Sequence, residues 1–137
     1  MSRSKQKGTA WETAIVRYLN DHGFPNAERR ALSGTQDRGD IAGITAHHDA
    51  LRAAYGLGDV LGRSGVCVEA KNCSATSLGA WMDEAIAEQA NGGADYAVVW
   101  HHRRGKASPG DGFVTMTGAA WVRLIRQAGY GDPEVPA

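Results

Sequence analysis

Only two of the 137 residues are cysteines, Cys67 and Cys73, and their spacing is not that of a paired zinc site. In a reduced compartment they are also not expected to join, which excludes a disulfide-stapled scaffold. No apolar run approaches the roughly 18 residues of a membrane span. The first residues, Met1 to Lys7, lead into no apolar leader segment. The expectation is a cytoplasmic protein without a membrane partner. The glycines build no phosphate-cradling loop, since Gly105-Lys106-Ala107 lacks both the surrounding pattern and the following helix, so no nucleotide cofactor is expected. The pairs His47-His48 and His101-His102 are adjacent and need not converge on a metal. Internal repeats are absent.

Net charge is also lacking, with 15 Lys and Arg against 15 Asp and Glu. A DNA-binding chain usually carries a cationic surplus, yet the zero hides a segregated pattern. Residues 1–38 hold seven basic and four acidic residues, and residues 101–126 hold five and one. Residues 39–100 hold three and eight. Basic flanks around an acidic centre suit metal-binding acids between phosphate-contacting surfaces; a mixed solvated surface is the plainer alternative.

What is present reads as one α/β domain over residues 1–130, with 131–137 a frayed or disordered tail carrying Pro133 and Pro136. Helical spacing of Trp11, Ala14, Ile15, Tyr18 and Leu19 predicts a helix over about 10–22, stopped by Gly23. Thr9-Ala10-Trp11-Glu12 fits a capping box at its start. Strands are predicted at 27–32, 40–44, 66–71, 96–100 and 112–117. The continuous apolar run Tyr96 to Trp100 suits an interior strand. A second helix is expected over 78–91 with Trp81, Ala85, Ile86 and Ala90 packed, and a third over 119–128 with Trp121, Leu124 and Ile125 packed.

The segment Val66 to Lys71 carries the chemistry. Alternation on a strand puts Glu69 and Lys71 on one face, with Cys67, and Val66, Val68 and Ala70 on the other. Upstream, Asp40 opens a short apolar run after a turn-rich segment. Two strand-end carboxylates suit Mg²⁺, which takes a few carboxylate oxygens and leaves room for a phosphate. The lysine would orient or help deprotonate the attacking water, or hold a phosphate oxygen as a point charge. The plainer reading of Glu69-Ala70-Lys71 alone is a solvated cross-strand ion pair.

The order of motifs widens the pattern: Gly8-Thr9-Ala10-Trp11-Glu12, Asp21-His22-Gly23-Phe24, Glu28-Arg29-Arg30-Ala31-Leu32-Ser33-Gly34, Gly39-Asp40-Ile41-Ala42-Gly43, then Glu69-Ala70-Lys71. In this order residues 7–100 resemble the PD-(D/E)xK nuclease superfamily, and most closely the archaeal-type Holliday junction resolvases that also occur in phages and bacteria. Gly39 stands where the motif has proline. The 29-residue step from Asp40 to Glu69 leaves an insertion at about 45–63. Within it Gly58-Asp59-Val60 repeats the Gly-Asp-apolar pattern, making Asp59 a rival to Asp40.

The resemblance implies a restriction-endonuclease-like core, a central mixed β-sheet flanked by helices. It implies a Mg²⁺-dependent endonuclease (Mn²⁺ being an alternative ion) acting on four-way junctions as a homodimer, in the cytoplasm of a bacterium or a phage-infected host. Asp40 and Glu69 would hold metal with the carbonyl of Ala70, Glu12 would bind a second ion or orient the first, and Lys71 would position or activate water. Arg30, Ser33, Arg38, Arg103, Arg104 and Lys106 would contact DNA. Of Arg29 and Arg30, opposite faces of a strand leave one for the cleft, and Arg30 is the choice. Other readings are a superfamily nuclease acting on flaps or duplex, and a non-catalytic DNA-binding recombination protein.

Overall fold

A computed structural model describes residues 2–30, 37, 39–45 and 65–135. Helix α1 (Arg3–Asp21) begins before the expected Ala10, because Ser2 caps it by accepting the Lys5 N–H at 3.2 Å. Thr9 therefore lies inside the helix, and the expected capping box with Glu12 does not form. The Thr9 carbonyl accepts instead from the Thr13 hydroxyl at 2.9 Å.

Five strands follow: β1 (Glu28–Arg29), β2 (Ile41–Ala42), β3 (Val66–Lys71), β4 (Tyr96–His101) and β5 (Phe113–Thr115). They form one mixed sheet in sequence order. β1, β2 and β3 pair antiparallel, β3 and β4 parallel, and β4 and β5 antiparallel. A parallel pair needs a crossover, which helix α2 (Leu78–Gly92) supplies, ending at Gly93 in the left-handed conformation. Helix α3 (Gly118–Gln127) closes the described chain, capped by the Thr117 hydroxyl. β1, β2 and β5 are shorter than expected; β2 stops before Gly43, whose φ of +86° leaves extended geometry.

Alternation along β3 divides the core. On one face Val68 joins Ile41, Val98 and Trp100 against Trp11, Ile15 and Leu19 of α1. The Trp11 indole N–H donates to the Trp100 carbonyl at 3.1 Å, so this packing also satisfies a buried donor. On the other face Ala97 and Val99 pack on Trp81, Met82 and Ala85 of α2. β4 is buried from Tyr96 to Trp100, as its unbroken apolar run predicts. The expected α/β class, a mixed sheet flanked by helices, is what the chain adopts.

Two helix faces differ from expectation. In α2 the buried stripe is Trp81, Met82, Ala85 and Glu88, while Ile86 and Ala90 are exposed. The helix is rotated so that a carboxylate, not an isoleucine, enters the interface. In α3 only Ala120 is buried; Trp121 and Leu124 are exposed and Ile125 is half-buried. α3 meets the sheet through polar atoms instead: Arg123 lies over the Tyr96 ring at 5.3 Å, and Gln127 accepts from the Tyr96 hydroxyl at 2.8 Å. Residues 131–135, within the expected tail, are tethered by Arg126, whose guanidinium donates to the carbonyls of Asp132 and Val135. No helix among the described residues is long and apolar enough to cross a membrane.

Candidate active site

Asp40 sits where the chain enters β2. Its amide donates to the Val68 carbonyl at 2.9 Å, its carbonyl accepts from the Arg30 amide at 2.8 Å, and its Oδ2 accepts from the Ala70 amide at 2.7 Å. Main-chain and side-chain bonds together lock the carboxylate beside the C-terminal end of β3. The preceding Gly39 makes this approach possible: its φ is +95°, and a Cβ there would lie 2.8 Å from Cys67 Sγ and 3.1 Å from the Val68 carbonyl oxygen. Proline, with φ fixed near −65°, cannot follow this path. The departure at Gly39 is thus a change of backbone conformation as well as of residue.

Glu69 and Lys71 share a face of β3, as alternation predicts, and that face is covered by α2. Lys71 Nζ lies 3.1 Å from Glu69 Oε1 and 3.0 Å from Glu84 Oε2 of α2. Glu69 is only 7% exposed and Glu88 only 5%. Carboxylate oxygens of Glu69, Glu84 and Glu88 all lie within 4.8 Å of one another. Glu69 Oε2 is buried and meets no N–H donor among the described residues, while a protonated Glu88 carboxyl shares a hydrogen bond with Glu69.

Glu84 and Glu88 are absent from the expected site. Four residues apart, they resemble an ordinary solvated helix edge; the available signal is that Glu88 falls three residues after Ala85 and seven after Trp81, on the packed stripe.

Electrostatics follow from this crowding. Burial, then the Glu69 charge, push Asp40 up to about 7; the Ala70 amide pulls it back, while Glu12 and Asp37 raise it further. Burial, then closeness to Glu69, drives Glu88 far above the ordinary carboxylate range. For Lys71, burial alone would favour the neutral amine, but the bonds to Glu84 and Glu69 outweigh it and hold the group above its usual value. Lys71 is therefore an ammonium ion at any working pH. Of its expected roles, positioning by charge fits and taking a proton does not. Burial and the Glu88 and Glu69 charges push the Cys67 thiol up to about 12, keeping it protonated and unreactive.

Glu12, on α1, holds Arg29 through a 2.9 Å ion pair and still adds to the field at Asp40. Arg30 is exposed and lines a crevice with Ile41 to Thr45 and Gly65 to Cys67, so the two arginines take separate surroundings. Ala70 brings its amide, rather than its carbonyl, to Asp40. Arg103 and Arg104 are exposed in the turn after β4 and line a cleft beyond the strand ends. Lys106 is exposed in the same turn, its amide donating to the Arg103 carbonyl at 3.0 Å. Ser33, Arg38, Asp59 and residues 46–63 of the expected insertion lie outside the described residues.

The raised Asp40 pKa sets a pH test. Because it lies above the unfolded value near 3.8, Asp40's stabilising contribution is complete below about pH 3.8 and is lost as pH rises through about 7. A cation that binds the ionised form opposes that loss. The melting temperature of metal-free protein is expected to fall from pH 4 to pH 8, and millimolar Mg²⁺ to raise it at pH 8 but not at pH 5. An equal Mg²⁺ effect at both pH values would remove Asp40 from the cation site.

Comparison with protein-family models, with curated proteins and with solved structures finds no match to this chain.

Proposed function

We propose that this chain is a Mg²⁺-dependent DNA endonuclease that hydrolyses phosphodiester bonds at branched sites, the four-way junction being the substrate its sequence resemblance favours. The observation carrying this reading is the junction of β2 and β3, where Asp40 is bonded to the Ala70 amide and feels the charge of Glu69, which is itself paired with Lys71. A purely structural ion pair would not need a second, mostly buried carboxylate raised to about 7 beside it.

The donor set fits a hard cation. Asp40 and Glu69 offer carboxylate oxygens, those of Glu69, Glu84 and Glu88 lie within 4.8 Å of one another, and the excess negative charge favours a divalent ion. Bound there, Mg²⁺ would supply Lewis-acid stabilisation of charge developing on the phosphate oxygens. Lys71, fixed as an ammonium between Glu69 and Glu84, stabilises the same charge and orients the attacking water. Glu12 adds negative field from α1, and its bond to Arg29 fixes its direction.

The test is cleavage of a labelled synthetic four-way junction beside the matching linear duplex, with Mg²⁺ and with EDTA. Paired symmetric nicks in the junction alone are expected. Metal-dependent cutting of both would keep the nuclease and discard junction specificity; cutting of neither would leave a DNA-binding protein.

Two symmetric cuts call for two active sites, so a homodimer belongs to the same reading. The exposed apolar residues of α3, Trp121, Val122 and Leu124, support a surface for it. In sedimentation experiments the parent is expected to be dimeric and Trp121→Glu monomeric. A parent that stays monomeric at high concentration would rule the dimer out.

A further inference from the structure

Beyond the C-terminal ends of the parallel pair β3 and β4 lies a cleft of about 490 Å³ that the proposed catalytic groups do not occupy. One wall starts at Asn72, immediately after Lys71, and continues to Ser74 and Thr76; the other passes from His101 through Arg103 and Arg104 to Phe113. The Lys71 carbonyl accepts from the His102 amide at 2.9 Å, so both walls leave the sheet side by side. Crevices at the carboxyl ends of strands are where open α/β sheets take ligands. The volume is within the range of roughly 300–1,000 Å³ that encloses a small molecule.

The lining is selective. It contains Lys7, Arg103 and Arg104 but no Asp or Glu. None of these three cations forms an ion pair with a carboxylate among the described residues. The contrast with the acidic cluster of Glu69, Glu84 and Glu88 is sharp. Asn72, Ser74 and Thr76 add neutral hydrogen-bonding groups. The apolar part is the Phe113 ring, half exposed, with the His101 ring at 5.5 Å and the Arg103 guanidinium over its face at 5.2 Å. Inorganic phosphate has no use for such a ring, and a paired duplex cannot reach it, because its base faces are covered by their neighbours. An unstacked base can lie on an aromatic ring or a guanidinium plane.

We infer that this cleft binds one unpaired nucleotide of the strand being cut, with its phosphate on Lys7 and Arg104 and its base on Phe113. The enzyme then prefers a phosphodiester beside an unpaired position to one in continuous duplex. The place of this nucleotide in cleavage rests on the nuclease reading above, whereas its binding does not.

Binding and cutting are therefore measured separately. Without Mg²⁺, fluorescence anisotropy compares a labelled thymidine 12-mer with a duplex of equal length, on the full chain and on Phe113→Ala, Phe113→Trp and Arg104→Ala. Phe113→Ala is expected to weaken single-strand binding about tenfold, the scale of one lost base stack, while duplex affinity changes less than twofold. Phe113→Trp should restore the strand, and Arg104→Ala should weaken it with a shallower salt dependence. With Mg²⁺, a branched substrate with two unpaired thymidines at the branch should be cut faster than its fully paired counterpart, and Phe113→Ala should abolish that difference. Equal losses on single strand and duplex, or no loss on either, would overturn the inference. Phe113-dependent strand binding with no cleavage of any substrate would sink the nuclease reading and leave the cleft standing. Cleavage with Phe113-independent binding would do the reverse.

Discussion

Glu69→Gln is expected to cut branched DNA in Mg²⁺ at least about a hundredfold more slowly than the parent, the scale of losing one group that stabilises transition-state charge, while binding the same DNA comparably. It is expected to melt no lower than the parent. In the metal-free protein the Glu69 charge raises both Asp40 and Glu88, so a neutral isostere relieves repulsion in a buried space. That pairing of outcomes separates function from support. If Glu69 served only as Lys71's structural partner, its neutralisation would weaken a mostly buried ion pair, lower the melting temperature and leave cleavage intact. Lys71→Ala is less clean, since it strips the cation from Glu69 and Glu84 together and leaves carboxylates facing one another. A Glu69→Gln variant that cuts as fast as the parent would overturn the assignment of the site.

Gly39→Ala is expected to damage stability more than any surface substitution. An alanine at φ +95° is strained by about 1–3 kcal/mol. Its Cβ would also meet Cys67 Sγ and the Val68 carbonyl, an overpacking cost of about 1–3 kcal/mol. Thermal denaturation should show a loss on the order of 10 °C, and cleavage should fall because Asp40 is the next residue. Gly39→Pro should be worse, since it also removes the amide that donates to Asp37 Oδ1 at 3.0 Å. Cys67→Ala/Gly39→Ala, which removes the sulfur, should recover part of the loss. No destabilisation in Gly39→Ala would show that the approach to Asp40 follows another path.

Why some elements were legible and others not follows from the same physics. β3 and β4 are readable because alternation and an unbroken apolar run survive burial on both faces. The α1 stripe is readable because Trp11, Ile15 and Leu19 all face the sheet. Its first turn was hidden, since Lys5-Gln6-Lys7 carries no apolar signal and only the Ser2 cap marks the start. Motif order alone singles out Glu12, Asp40, Glu69 and Lys71 as candidates. Periodicity treats acids as solvent-facing and so gives no sign that Glu84 and Glu88 lie near Glu69, and the packing of α2 overrules it for Glu88. The apolar face of α3 misled in the opposite direction: it predicts burial, while the helix meets the sheet through Arg123 and Gln127.

The strands that carry the acids are unequal. Glu69 belongs to a six-residue strand paired along its whole length with β4, whereas Asp40 borders a two-residue strand lying between β3 and the equally short edge strand β1. Few ladder bonds oppose opening of that edge, so hydrogen exchange should reach the β1–β2 amides long before those of β3 and β4. One carboxylate is thus expected in the slow-exchanging centre, and the other in a margin expected to open first. A cation bridging them would act as a clasp, completing the site and raising the local stability of the weakest part of the sheet in one step.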